Sequence, residues 1–249
     1  SHDDALNIKS FYTEITASSR ADSTITVQQT QNEVSITYAV GDVIEIYDPS
    51  TMKKLETYTV TGVLSRGTNY ELTLDKRPVS GLVGMSCGNV TKSTHLSLDN
   101  CIIGNKRNRG ILLQCRDSEI INCTFQNVIM GAVQVLSVND SFREAILPRN
   151  IRIENCKFLH NIADISIFCY GDNPASSVAG TLLDTTVSNC YFYRGTGTYV
   201  NLQATGNAQV KNNLFDLTDN TVSNVLKLYK AKDTVFSENY VYTTYRGYK

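Results

Sequence analysis

Asp117–Phe125 reads D-S-E-I-I-N-C-T-F, an apolar-polar alternation running into Asn-Cys-x-Phe. The pattern returns along the chain. LSLDNCII ends at Ile103, IRIENCKF at Phe158, TTVSNCYF at Phe192 and AQVKNNLF at Phe215, with FSENYVY as a degenerate last copy. The asparagines fall at Asn100, Asn122, Asn155, Asn189, Asn212 and Asn239, giving spacings of 22, 33, 34, 23 and 27 residues. Self-similarity at such a period marks a solenoid, in which each repeat buries its apolar face against the next.

A second strand-like column lies between those copies. LLQC (112–115), AVQVL (132–136), DISIF (164–168), YVNLQ (199–203) and VLKLY (225–229) each hold an apolar-polar-apolar triplet. The middle residues Gln114, Gln134, Ser166, Asn201 and Lys227 follow the Asn of their own coil by 14, 12, 11, 12 and 15 residues. That near-constant offset predicts two parallel sheets, with apolar flanks inward and polar middles outward. Parallel strands joined by short turns, one coil per period, make a parallel β-helix, and the crossover rule makes it right-handed. A turn Asn hydrogen-bonds backbone groups and its stacked neighbours, so its repetition is explained without any function. The two long coils carry their excess in Ser137–Arg149 and Gly171–Leu183, loops of the kind that shape binding sites.

From about Ser23 to Ser93 the repeat is absent. ITVQQ, EVSITY, VIEIY, ETYTVTGVL and YELTLD alternate with turn signals at Gly41-Asp42, Asp48-Pro49-Ser50 and Arg66-Gly67-Thr68-Asn69. Short β-branched and aromatic strands at this rate predict a small antiparallel barrel or sandwich. The expected organisation is all-β: a coil segment over 1–22 that follows missing coils, an inserted β-barrel over 23–93, and a parallel β-helix over 94–249.

Composition narrows the function classes. A formal net charge of −1 gives no electrostatic reason to expect nucleic acid or an anionic membrane as partner. No apolar run reaches the length of a membrane span. Of seven cysteines none sits in a CxxC pair, and Cys101, Cys123, Cys156 and Cys190 share one repeat position. They are expected to form an inward column of core thiols rather than disulfides. His2, His95 and His160 fall in different registers, so no metal or other cofactor is expected. Oligomeric state is not readable from these patterns. Nor is the compartment.

The candidate chemistry lies at the start of the chain. Leu6-Asn7-Ile8 fits the second column, which stacks Asn7 against Gln114, Asp3 against Gly110 and Lys9 against Arg116. Adjacent strands lie about 4.8 Å apart, so Asp3-Asp4 is expected beside the basic run Lys106-Arg107-Asn108-Arg109. Carboxylates and arginines on one outward ledge, bordered by Gln114, Asp164 and Tyr199, suit a sugar or uronate. Paired carboxyl groups are what glycoside hydrolysis needs, one as acid and one as base or nucleophile. Asp-Asp at a strand start equally caps a turn, and the basic run equally reads as a solvated turn neutralised by those aspartates.

Asp3-Asp4-Ala5-Leu6-Asn7-Ile8, a β-rich insertion, Asn105-Lys106-Arg107-Asn108-Arg109-Gly110-Ile111-Leu112 and the Asn-Cys-x-Phe coils together resemble glycoside hydrolase family 110. The resemblance implies a pectate-lyase-like β-helix with an inserted barrel, and exo-acting release of terminal α-1,3-linked galactose with inversion. It also implies a periplasmic or secreted location, an oligosaccharide or glycan as partner, and no cofactor. On it Asp3 and Asp4 are the carboxylate candidates, with Glu144 a weaker one. Asn7, Lys9, Arg107, Arg109, Gln114, Arg116 and Asp164 are the substrate-binding candidates. Lys9-Ser10 stands where the family has His-Gly, and the loop Asn139–Glu144 lacks the Trp and Cys expected there. Asp-Asp-x-x-x-Ile-Lys-Ser is also similar to a polygalacturonase stretch, but no Gly-His-Gly follows and Arg152-Ile153-Glu154 has Glu where that family has Lys. A third reading is a non-catalytic carbohydrate-binding or phage-tail-like module on the same ladder, since fold alone does not fix function.

Overall fold

The asparagine of each Asn-Cys-x-Phe copy breaks one strand from the next. In the computed structural model, which describes residues 3–29, 36–138, 143–144 and 146–243, Asn100, Asn122, Asn155, Asn189 and Asn212 sit at φ between 54° and 55°. This left-handed conformation crowds most side chains, whereas Asn tolerates it. Each repeat segment is therefore two strands in two sheets. The solenoid has three parallel sheets, not the two that the pattern suggested. In the last copy the left-handed residue is Glu238 (φ 54°), and Asn239 stands one place on, accepting a 3.0 Å hydrogen bond from Asn213.

The chain opens with β1 (Leu6–Lys9) and then leaves the solenoid for β2 (Tyr12–Ser19), β3 (Thr24–Gln28), β4 (Val43–Tyr47), β5 (Lys54–Arg66), β6 (Asn69–Leu74) and β7 (Ser86–Asn89). These six close into an antiparallel barrel in the order β2-β3-β6-β5-β4-β7. The coils follow. β8 (Ser97–Asp99), β9 (Ile102–Lys106) and β10 (Arg109–Gln114) make the first, and β11 (Ser118–Ile121), β12 (Thr124–Val128) and β13 (Gly131–Val138) the second. β14 (Arg149–Glu154), β15 (Lys157–Leu159) and β16 (Ile165–Tyr170) make the third. The fourth holds β17 (Leu182–Ser188), β18 (Tyr191–Tyr193) and β19 (Val200–Gln203), after which β20 (Thr205–Gly206) adds a short pairing with β17. The fifth holds β21 (Gln209–Lys211), β22 (Leu214–Asp216) and β23 (Leu226–Tyr229), and β24 (Val235–Ser237) and β25 (Tyr240–Tyr242) begin a sixth. The protein is an all-β parallel β-helix. No helix among the described residues is long and apolar enough to cross a membrane.

The barrel starts at Tyr12, earlier than the expected Ser23. Strand-like alternation continues through Phe11 without a break, so the sequence pattern hid the change of sheet. The chain leaves and re-enters the solenoid at one point, where Ser10 Oγ and Ser93 Oγ lie 3.1 Å apart and Thr94 N–H donates to Ser10 Oγ. The barrel has its own core around Ile15, Ile44 and Leu72, while Tyr12, Tyr47 and Met52 join the core of the solenoid. At Gly171 the two bodies touch so closely that a Cβ would lie 1.9 Å from the Ser50 carbonyl oxygen, which only glycine accommodates.

The solenoid core is a spine of rings. Phe125, Phe158, Phe192 and Phe215 stack with centroids 5.2, 4.9 and 4.7 Å apart, at the offset-stacking distances aromatic pairs favour. Cys123, Cys156 and Cys190 are buried in one column beside it, and Cys101 at its outer end is partly exposed.

Register corrects one expectation. Gln134, Ser166, Asn201 and Lys227 do stack on one another. The residue that joins them from β10 is Leu112, not Gln114, and β1 pairs Leu6 with Ile111, Asn7 with Leu112, Ile8 with Leu113 and Lys9 with Gln114. The shift is two residues, so every side chain keeps its face. The polar Gln114 misled the alignment because the outward position in this coil is apolar.

Candidate functional site

The sheet β1-β10-β13-β16-β19-β23 carries the ledge on its outer face. With the corrected register Asp4 is level with Arg109. Arg109 N–H donates to Asp4 Oδ1 at 3.2 Å, and the guanidinium Nη1 lies 3.4 Å from both carboxylate oxygens. Arg109 Nε also donates to Gln134 Oε1, so one side chain ties three adjacent strand rows together. The Asp4 side chain is 4% exposed, whereas Asp3 is exposed and accepts from Asp4 N–H through Oδ1 at 2.8 Å. Asp4 thus lies against Arg109, with Asp3 beside it. Arg107 points to solvent one turn away.

Lys9 occupies the other end of β1. Its Nζ pairs with Glu144 Oε1 at 2.5 Å, and Glu144 is held by a backbone bridge to Phe11. Five residues separate Asp4 from Lys9, about 16 Å of extended chain at 3.3 Å per residue. Asp4 and Glu144 therefore do not form one acid–base pair; each is neutralised by its own cation. Of the loop before Glu144, Asn139–Phe142 lies outside the described residues.

Asn7 is exposed in the outward column with Gln134, Ser166 and Asn201. Gln114 lies in the next column and is buried, its Oε1 without a partner among the described residues. Around it Leu112, Leu136 and Val138 form a small apolar cluster on the outer face, with Phe168 and Tyr170 packed against it. The rings of Phe168 and Tyr170 are 5.9 Å apart and 8° from parallel. Both are half-buried. Sequence reasoning did not select Gln134, Phe168 or Tyr170, although counting in twos from Ser166 along β16 places both rings on its face.

Two expected ligands belong elsewhere. Arg116 lies beyond the end of β10, buried against the barrel. Its Nη2 donates to Glu45 Oε2 at 2.8 Å, to Tyr47 Oη at 3.1 Å and to the Leu147 carbonyl at 3.3 Å. Burial would raise the Glu45 carboxyl, but hydrogen bonds from Arg116 and Tyr47 and the charges of Arg116 and Lys54 outweigh it. Glu45 is held at about 2 against an ordinary 4.5. Asp164 points inward, in a corner column with Ala132 and Tyr199, and is 1% exposed. Asn161 Nδ2 donates to its Oδ1 at 2.8 Å, and burial pushes its carboxyl up to about 7. Tyr199 is equally buried, its hydroxyl donating to the Asp216 carbonyl. Alternation placed Asp164 and Tyr199 outward; the corner turn puts two consecutive residues inward and breaks that parity.

No family model matches the chain, and no curated protein matches it. Among solved structures it is similar to the tailspike protein gp49 from Pseudomonas phage LKA1, at 14% identity and a TM-score of 0.35. The match covers 86% of this chain and 42% of the tailspike, so the chain spans less than half of that protein's length.

Proposed function

We propose that the chain binds a glycan along the outer face of the sheet that begins with β1. One observation carries this reading: Asn7, Gln134, Ser166 and Asn201 share an outward column beside the paired rings of Phe168 and Tyr170. Amides and hydroxyls offer donors and acceptors that match sugar hydroxyls, and aromatic faces pack against the C–H faces of sugar rings. The Asp4–Arg109–Gln134 linkage and the Lys9–Glu144 pair hold the two ends of β1, where the column starts, so that part of the face is preorganised.

A glycoside hydrolase of the family-110 kind, releasing terminal α-linked galactose, is the second reading. It is favoured by the exposed carboxyl of Asp3 beside the Asp4–Arg109 pair. On it Asp3 protonates the leaving oxygen and Asp4, oriented by Arg109, activates water. Glu144 has no part in that chemistry, being committed to Lys9 at the far end of the strand.

The test is retention of galactose-terminated oligosaccharides and galacturonan by the whole chain, with Tyr170→Ala and Asn201→Ala as variants. Tyr170→Ala is expected to weaken binding about tenfold, the worth of one aromatic contact. If no glycan is retained, or if both variants bind unchanged, the proposal fails. Galactose release abolished by Asp3→Asn supports the second reading. Release untouched by both Asp3→Asn and Asp4→Asn overturns it.

A further inference from the structure

The seam between barrel and solenoid encloses a cavity of about 200 Å³, away from the glycan face. Its walls hold four cations, Lys53, Lys54, Arg116 and Arg149, and one carboxylate, Glu45. Four positive charges less one negative leave a formal excess of three. Glu45 is already surrounded. Its Oε2 faces Arg116 Nη2 at 2.8 Å, and its Oε1 faces Lys54 Nζ at 3.3 Å and Arg149 Nη1 at 3.7 Å. The Tyr47 hydroxyl donates to Oε2 at 2.5 Å. A single carboxylate so fully used cannot also balance the remaining charge.

A structural seam needs only the Glu45–Arg116 pair. Further cations around one carboxylate repel one another, and a charge taken out of water without a partner is costly. Arg116 adds a second, independent sign. Its side chain is 7% exposed, and its Nε, buried in the cavity wall, has no partner among the described residues. Lys54 and Arg149, at 44% and 36% exposed, stand where solvent reaches the cavity. A guanidinium in the wall of a basic hollow, with two further cations at its solvent-exposed mouth, is the arrangement that receives an oxyanion.

We propose that this seam is an oxyanion-binding site, held by Arg116, Arg149, Lys54 and Lys53 and sized for one carboxylate or phosphate group. Two carriers of that chemistry are a free phosphate and the carboxylate of an acidic sugar. The site does not depend on the glycan reading of the outer face. Its occupancy would clamp the barrel to the solenoid, because Lys53, Lys54 and Glu45 belong to one body and Arg116 and Arg149 to the other.

Isothermal titration of the whole chain with inorganic phosphate, and separately with galacturonate, tests the site. Saturable binding that weakens as sodium chloride is raised is expected for at least one of them. Arg149→Met and Lys54→Met each remove one charged donor from the mouth and are expected to weaken binding about tenfold or more. Lys157→Met, on an exposed position of β15, is expected to change nothing. Tighter binding of phosphate identifies a phosphoryl carrier, and tighter binding of galacturonate an acidic sugar; either supports the site. No saturable binding of either probe overturns it. So does binding unchanged by both mouth variants, or binding weakened equally by Lys157→Met. Circular dichroism of each variant separates a lost site from a lost fold.

Discussion

Replacing Asp164 with asparagine is expected to stabilise the protein at pH 8 and to leave it nearly unchanged near pH 4. The carboxyl is 1% exposed and accepts a hydrogen bond from the Asn161 amide, 2.8 Å away, which is neutral. Burial raises its pKa from an ordinary 3.8 to about 7, against a smaller opposing pull from that hydrogen bond. Because the folded value lies above the unfolded one, the native state keeps a proton between those limits that the unfolded chain releases. Stability is therefore full below 3.8 and falls as pH rises, until the loss is complete above about 7. At 1.36 kcal/mol per pKa unit, the penalty reaches roughly 4 kcal/mol at pH 8, with relaxation around the carboxylate making the measured value smaller. Asparagine keeps the shape and the accepting oxygen and cannot ionise. Urea unfolding of Asp164→Asn and the parent at pH 4, 6 and 8 should give a gain that grows with pH to about 2–4 kcal/mol. A gain independent of pH, or none at pH 8, would refute the reasoning. Glycan retention should be untouched, since a side chain inside the corner cannot reach the ledge.

Two further outcomes follow from the same structure. Glu45 is the opposite titration: its folded pKa of about 2 lies below 4.5, so its contribution is present above 4.5 and is lost as pH falls toward 2. That amounts to about 3 kcal/mol for a side chain 7% exposed. Glu45→Gln should therefore flatten the acid limb of the stability profile, and an unchanged limb would show that another carboxylate controls it. Along the ring spine, Phe158→Ala should cost about 3–5 kcal/mol in urea unfolding, being enclosed on both sides. Phe236→Ala, at the 43%-exposed end of the stack, should cost well under half of that, and equal costs would contradict the spine as described.

The solenoid was legible because its pattern is redundant. Three full copies of Asn-Cys-x-Phe, its partial copies at Asn100 and Asn212, and four correctly stacked triplets outweigh any single misreading, and the barrel was legible as an interruption of them. What the pattern could not show is φ. Asn at a left-handed turn looks, in sequence, like one more polar residue of a strand, so two sheets were read where the turn makes a third. The same limit explains Asp164 and Tyr199. Counting in twos assumes a straight strand, and at the corner before β16 and β19 the chain bends and both residues turn inward. Arg116 was misassigned for another reason. Its partner, Glu45, lies 71 residues earlier in the barrel, and no periodicity relates the two. By contrast Asp4 and Arg109, 105 residues apart, were placed together because both belong to the ladder.

Most departures from the outward polar pattern fall together on one part of the sheet. A repeat conserves whatever builds the next coil, so outward positions on a solvated sheet face should be polar. On this sheet they are polar at Asn7, Gln134, Ser166, Asn201 and Lys227, and apolar or aromatic at Leu112, Leu136, Val138, Phe168, Tyr170 and Tyr229. Drift would scatter such departures along the solenoid. Instead five of the six form one cluster on β10, β13 and β16, bordered by Gln114 with its unsatisfied oxygen and by the outward polar column, and Tyr229 stands apart on β23. Leu112, Leu136 and Val138 are buried, so the part of the cluster that meets solvent is the half-buried pair of rings, Phe168 and Tyr170, beside the polar column. The two-residue shift at Leu112 arises because the chain there gives up its repeat, and it gives it up where the apolar cluster of the outer face begins.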